Sequence, residues 1–163
     1  MSAIVVVGGQ WGDEGKGRIV DLLAEKAHLV ARYSAGNNAG HTIINELGEF
    51  KLHIVPAGIF YPDKVCVIGN GMVVDPAVLL EEIDHLEDRG VSVKGRLFLS
   101  DRAHVVMPWH RLLDNLEEKE RGKNAVGTTG RGMTPAFMDK VGRSGLRVAD
   151  LIDPEALLAA LSV

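Results

Sequence analysis

Apolar residues recur along this chain with two spacings. Residues 4–7 (Ile-Val-Val-Val) are an unbroken apolar run closed by Gly8-Gly9, the pattern of a parallel strand covered on both faces. Over residues 16–27, Ile19, Leu22, Leu23 and Ala27 recur at offsets of three and four, which predicts a helix with that face inward. A second strand is expected over residues 28–34. Residues 42–45 and 50–55, flanking Leu47-Gly48-Glu49, read as a hairpin. Residues 65–68 form another short strand, closed by Gly69-Asn70-Gly71. Asp75-Pro76 then opens a helix, the Asp capping free N–H groups and the Pro fitting the first turn. Its inward face is Val78, Leu79, Ile83 and Leu86, and Gly90 ends it. Residues 96–99 are the next strand. Residues 108–121 are a polar helix with Leu112, Leu113 and Leu116 on one side. Residues 122–134, with four glycines and three threonines, read as a long flexible loop, and loops of this length are usually functional or disordered. Residues 154–161 start a last helix, with Leu157, Leu158 and Leu161 on one face. It stops at Val163 without a Gly cap or a basic last turn, so it reads as an interrupted or a frayed helix. Alternating strands and helices give an α/β class: a mainly parallel sheet with flanking helices.

Composition narrows the class. The 163 residues, 46% hydrophobic and 25% charged, suffice for one domain with a core that needs no disulfide or metal staple. The single cysteine, Cys66, excludes an internal disulfide and a cysteine-based zinc cage. It fits a reducing, cytoplasmic compartment, and in its apolar strand it reads as core. No apolar run approaches the ~18 residues of a membrane span, and the first residues lack the pattern of a signal peptide. A net charge of −4 gives no general attraction to nucleic acid. The charge is uneven, however. Residues 119–147 hold Lys119, Arg121, Lys123, Arg131, Lys140, Arg143 and Arg147 against only Glu120 and Asp139. That segment is either a local anion site or a solvated face.

Two glycine-rich stretches carry candidate chemistry. Residues 10–17, Gln-Trp-Gly-Asp-Glu-Gly-Lys-Gly, stand between strand and helix, where a phosphate loop belongs. Glycines let backbone N–H groups point inward, the helix start adds partial positive charge, and Lys16 meets phosphate oxygens. The pattern departs from the usual phosphate-loop motif, with Gln10 at the first Gly and Gly17 at the final Ser/Thr. Asp13 can ligate Mg²⁺, act as a general base, or simply cap the helix. Trp11 is expected to pack at the loop base. The second stretch, residues 34–42, Ser-Ala-Gly-Asn-Asn-Ala-Gly-His-Thr, follows the second strand. In a parallel sheet it lies on the same edge as the first loop. His41 there is either a donor to a transferring phosphate or an ordinary loop residue. His28, His53, His85, His104 and His110 lack ligand-like spacing and read as structural.

Taken together, residues 10–17, 38–42, 68–71, 127–132 and 142–147 resemble the adenylosuccinate synthetase family, in order and over nearly the whole chain. The resemblance implies a P-loop-like GTP-binding architecture. It also implies GTP-dependent ligation of IMP and L-aspartate to adenylosuccinate, the first committed step of AMP biosynthesis. GTP would be held by Gly12, Asp13, Glu14, Gly15, Lys16, Gly17, Arg18, Gly40, His41 and Thr42. IMP would meet Asp13, Glu14, Gly15, Lys16, Asn38, Ala39, Gly40, His41, Thr129 and Arg143. One Mg²⁺ per subunit would sit on Asp13 and the Gly40 carbonyl. Asp13 would remove the N1 proton of IMP, and His41 would stabilise or protonate the leaving GDP oxygen. Arg143 would reach the IMP site of a partner subunit, so a cytoplasmic homodimer is implied, with neither nucleic acid nor membrane as partner. Asn37 stands where many members carry His, and Met133-Thr134 where Ile-Gly is more usual. Members run to about two and a half times this length. The chain therefore reads as the N-terminal nucleotide-binding part of a longer ligase, inactive alone and poorly soluble. The alternative is a phosphate- or nucleotide-binding remnant without ligase activity.

Overall fold

The computed structural model describes residues 2–12, 14–38 and 40–162. Its main sheet is built on one long strand, β4 (Val65–Val74). Strand β1 (Leu29–Ala35) runs parallel along it, while β5 (Leu97–Leu99) and β6 (His104–Val105) take successive stretches of it, also parallel. Strands β2 (His41–Asn45) and β3 (Gly48–Leu52) form a separate antiparallel hairpin. Helix α1 (Lys16–Ala24) precedes β1, α2 (Pro76–Glu87) follows β4, and α3 (Pro108–Arg121) follows β6. Helices α4 (Met133–Gly142), α5 (Val148–Ile152) and α6 (Pro154–Leu161) complete the chain. This is the expected α/β class with a mainly parallel sheet.

Strand β4 runs six residues beyond its expected end, through the glycines that read as a closure. The cause is tertiary. The β1–β4 register slips between Arg32 and Ser34, and the bulge pushes the Tyr33 carbonyl towards Gly71. A Cβ on Gly71 would lie 1.9 Å from that oxygen. The glycine therefore lets the ladder continue rather than ending it. The core beneath the sheet joins Ile68, Met72 and Cys66 to Phe50, Leu52, Ile54 and Ile59. Cys66 is fully buried, and burial pushes its thiol up to about 11.

Several expectations need correction. Residues 4–7 form no strand: Ile4 is 72% exposed and Val5 70%, and no described strand pairs with them. Trp11 is exposed rather than packed at the loop base. On α1 the buried residue is Ala24, with Val20 and Ala27 packed partly beside it, whereas Ile19 and Leu22 face solvent. The helix docks on the 3₁₀ turn Ala57–Phe60 and β2, which turns the inward stripe by about one residue. Leu112, Leu113 and Leu116 of α3 are also exposed, and the inward residues are His110 and Asp114. Both are satisfied. His110 Nδ1 accepts from the Met107 N–H at 3.0 Å, which leaves its Nε2 to donate to Asp139 of α4 at 2.9 Å, and Asp114 accepts from the Gly132 N–H at 2.9 Å. The loop expected over residues 122–134 ends earlier than it should, because α4 already begins at Met133. The hairpin strands also shift, to His41–Asn45 and Gly48–Leu52.

Candidate functional site

Gly12 and Gly15 adopt left-handed backbone, at φ 88° and 80°. Gly15 sits at the N-cap of α1, so the chain turns sharply into the helix start. Within the loop, the Glu14 carboxylate accepts from the Gln10 and Trp11 N–H groups at 2.8 and 2.9 Å, and from Lys16 Nζ at 2.7 Å. Lys16 also donates to the Gly12 carbonyl at 3.1 Å. The Lys16 bond, followed by the backbone N–H groups, holds the Glu14 carboxyl far below the usual carboxylate range. One carboxylate and one ammonium thus tie the loop from inside. Arg18 is exposed.

The second glycine-rich stretch meets this loop, as expected. A Cβ on Gly17 would lie 2.8 Å from both Cβ and Cγ of His41. The His41 side chain occupies the space a Ser or Thr would fill. The departure from the usual motif is therefore what lets a second-loop imidazole lie against the first turn of α1. Burial, then the Arg32 charge, then His53, push His41 down to about 4. It is neutral at pH 7, and its Nε2 is buried without a partner among the described residues.

The supports behind His41 were not read from the sequence. His53 packs against Gly40, where a Cβ would meet its Nε2 at 2.8 Å. Its Nδ1 lies 3.2 Å from Glu82. The buried Glu82 carboxylate also accepts from the N–H groups of His53, Ile54 and Val55, fixing the exit of β3 on α2. A signal was available: Glu82 lies in step with Leu79 and Leu86 on the inward stripe of α2. Arg32 donates to the His53 carbonyl and, at 3.3 Å, to the Gly36 carbonyl. Asn37 is fully buried and donates to Asp75 at 3.4 Å. Asp75 also caps α2 and binds Arg111. Arg131 donates to the Asn37 carbonyl, which joins the loop of residues 125–132 to this one.

The remaining predicted residues are placed unevenly. Asn38 is exposed beside an apolar hollow of about 730 Å³ shared with Met133 and Phe137. Thr42 is exposed on β2, and Thr129 is exposed in the loop before α4. Arg143 caps α4 in left-handed conformation (φ 65°) and is exposed, with no ion pair among the described residues. Among the described residues its side chain makes no hydrogen bond or ion pair to His41 or to the first loop. Asp13 and Ala39 lie outside the described residues. No cluster of three or more His, Cys, Asp or Glu fit to hold a metal occurs among the described residues. Mg²⁺ held by one carboxylate, a carbonyl and substrate phosphates fits the residues present. No helix among the described residues is long and apolar enough to cross a membrane.

This fold and this pair of loops define an α/β protein of P-loop-like architecture, with a glycine-rich turn at the start of α1. The adenylosuccinate synthetase family model matches residues 5–163, and the chain belongs to that family. It is 60% identical over 161 residues to adenylosuccinate synthetase of Heliobacterium modesticaldum, covering 99% of this chain and 38% of that relative. With the enzyme of Desulfitobacterium hafniense the identity is 59% over the same coverage. The fully ligated adenylosuccinate synthetase of Plasmodium falciparum superposes with a TM-score of 0.83 at 39% identity, over 94% of this chain and 36% of that one. A cyanophage S-2L succinoaminodeoxyadenylate synthetase bound to dGMP and dATP superposes with a TM-score of 0.61 at 30% identity, over 80% of this chain. The chain spans about 38% of the length of the curated relatives it matches.

Proposed function

We propose that these residues are the N-terminal nucleotide-binding part of a ligase. The ligase joins IMP and L-aspartate with GTP, releasing GDP and phosphate, in the cytoplasm. The observation that carries the reading is the His41 imidazole seated against Gly17 at the start of α1, with Nε2 buried and unpartnered. Family membership supplies the reaction.

In this reading, the N–H groups and Lys16 of residues 12–18, with Gly40 to Thr42, receive the GTP phosphates. Asp13 takes the N1 proton of IMP, so that O6 becomes nucleophilic and attacks the γ-phosphorus. The bond from that phosphorus to the bridging oxygen of GDP breaks. Aspartate's amine then displaces phosphate from C6. A neutral imidazole supports one of the two roles expected of His41: it donates a hydrogen bond to the leaving oxygen rather than arriving protonated. Glu14 is committed to Lys16 and two backbone N–H groups, so Asp13 is the loop carboxylate assigned to Mg²⁺, with the Gly40 carbonyl. The ion would neutralise developing phosphate charge. Asn38 and Thr129 contact IMP, and Arg143 reaches the IMP site of a second subunit in a homodimer. The cyanophage neighbour is bound to dATP as an energy donor. An adenine nucleotide can therefore serve as energy donor on an architecture of this kind.

The test is adenylosuccinate formation, followed by absorbance, in a full-length ligase carrying this sequence and in its His41→Asn variant. The expected result is a loss of two or more decades in kcat with a small change in the KM for GTP. An unchanged kcat would return His41 to an ordinary loop residue. The 163 residues alone are expected to give no turnover. Turnover by them would overturn the view that the ligase needs more chain. A second reading, a nucleotide-binding remnant, is favoured by the 38% coverage of the relatives. It requires GTP or IMP binding without product.

A further inference from the structure

Helix α3 carries two carboxylates one turn apart that hold the two ends of the loop before α4. Glu118 accepts from the N–H groups of Val126, Gly127 and Thr128 at 3.1, 2.7 and 3.3 Å. Asp114 accepts from the Gly132 N–H at 2.9 Å. Residues i and i+4 of a helix share a face, so both anchors come from one rigid element. Glu118 keeps its charge: the N–H groups of Gly127, Val126 and Thr128 and the Arg121 guanidinium outweigh burial and hold its carboxyl below the usual range. Between the anchors, the N–H groups of Thr129, Gly130 and Arg131 find no backbone acceptor among the described residues. Thr128 Oγ1 is buried without a partner there. The Arg131 side chain ties the far end to the Asn37 carbonyl, next to Asn38. A segment without regular structure is thus clamped at both ends, with its far end tied to the second glycine-rich loop.

Resting on the nucleotide reading above, we infer that Glu118, with Asp114, is a positioning residue for nucleoside monophosphate binding. Glu118 fills the amide nest of residues 126–128 with its own carboxylate and so fixes the conformation in which Thr129 meets the ligand. Its charge is spent on the loop, not on the ligand. Removing it costs preorganisation rather than a direct contact.

The test uses a full-length ligase carrying this sequence, with Glu118→Ala, Glu118→Gln and Thr129→Ala. Amide hydrogen exchange and steady-state kinetics are the readouts. Glu118→Ala is expected to speed exchange at residues 126–128 without changing it in α1. It should raise the KM for IMP by about tenfold, the worth of one set of charge-assisted hydrogen bonds, and leave the KM for GTP unchanged. Glu118→Gln, which keeps one acceptor oxygen, is expected to restore part of the loss. Unchanged exchange at residues 126–128 would overturn the clamp. A parallel rise in both KM values with a lower Tm would overturn the positioning role in favour of general stability. If exchange speeds up while neither Glu118→Ala nor Thr129→Ala moves the KM for IMP, the inference is overturned because the loop does not serve that nucleotide. If Thr129→Ala alone moves it, the nucleotide reading stands and Glu118 falls.

Discussion

Gly17 offers a substitution whose two effects oppose each other. It lies in the first turn of α1, with no positive φ to strain an added side chain. By helix propensity alone, Gly17→Ala should stabilise the protein by about 1 kcal/mol. The new methyl group, however, would lie 2.8, 2.8 and 3.1 Å from Cβ, Cγ and Cδ2 of His41. Two of these contacts involve the base of a side chain in the hairpin strand β2, which cannot swing away as a flexible tip would. Overpacking of this kind costs about 1–3 kcal/mol, so the clash outweighs the propensity. The expected net effect is a loss of about 1 kcal/mol, with the imidazole pushed out of its seat. Displacement has its own signature. His41 is held near 4 chiefly by burial, so the displaced ring should titrate closer to 6.5. Urea unfolding at pH 7 gives the stability, and an NMR titration of the histidine rings gives the pKa. Gly17→Ser, which restores the hydroxyl of the usual phosphate loop, should behave the same way and lower activity. A stability gain near 1 kcal/mol with His41 still titrating near 4 would refute the reasoning.

Acid should weaken the fold through the same ring. His41 titrates at about 4 when folded, against an ordinary 6.5. As pH falls below 6.5 the unfolded chain takes up the proton first, so stability is lost progressively down to about 4 and no further below it. For a partly exposed ring the loss is about 2 kcal/mol, discounted for solvent screening. His41→Asn should be correspondingly less acid-sensitive between pH 7 and 4.5 in urea unfolding. Equal acid sensitivity would count against the buried neutral ring. Asp75→Ala should cost about 2–3 kcal/mol, because it removes the α2 cap and the partner of Arg111. Arg111 is half exposed and re-solvates, which keeps the loss below that of a fully buried pair. Asp75→Asn should recover about 1 kcal/mol through the retained cap; equal loss in both variants, measured by thermal unfolding, would mean the cap contributes nothing.

What the sequence made legible was local chemistry. Proline at residues 76, 108 and 154 marked three helix starts because φ near −65° and a missing N–H suit the first helical position. The two glycine-rich stretches were legible as candidates because glycines let backbone N–H groups turn inward. The shared sheet edge expected to bring them together is missing for the first, since residues 4–7 pair with no described strand, and the seat of His41 against Gly17 joins them instead. The misses share a cause: the deciding partner is remote in sequence. Residues 4–7 have the strand pattern, but pairing needs a neighbour, and no described strand supplies one. Gly69 and Gly71 looked like a terminus until the Tyr33 carbonyl explained them. On α3 the leucines were read as lying on one side of a polar helix, which leaves open what faces inward; the interior face is His110 and Asp114, matched by Asp139 and the Gly132 N–H. Helix α4 was hidden by the glycines and threonines before it, although Met133, Ala136 and Phe137 already had helical spacing. The pairing of His41 with Gly17 had a sequence signal, the missing Ser/Thr, but only geometry gave it a reason.

The dominance of β4 has a consequence for how the chain folds. Every pairing of the main sheet among the described residues includes this strand, and each is parallel, so each waits for a crossover to close. Such contacts are far apart in sequence and are reached slowly. Until residues 65–74 are in place, β1, β5 and β6 have nothing to add to, and their edges stay open to other chains. A break or circular permutation inside residues 65–74 would therefore fall in the one strand that all three pairings share, while one at residues 122–125 would touch none of them.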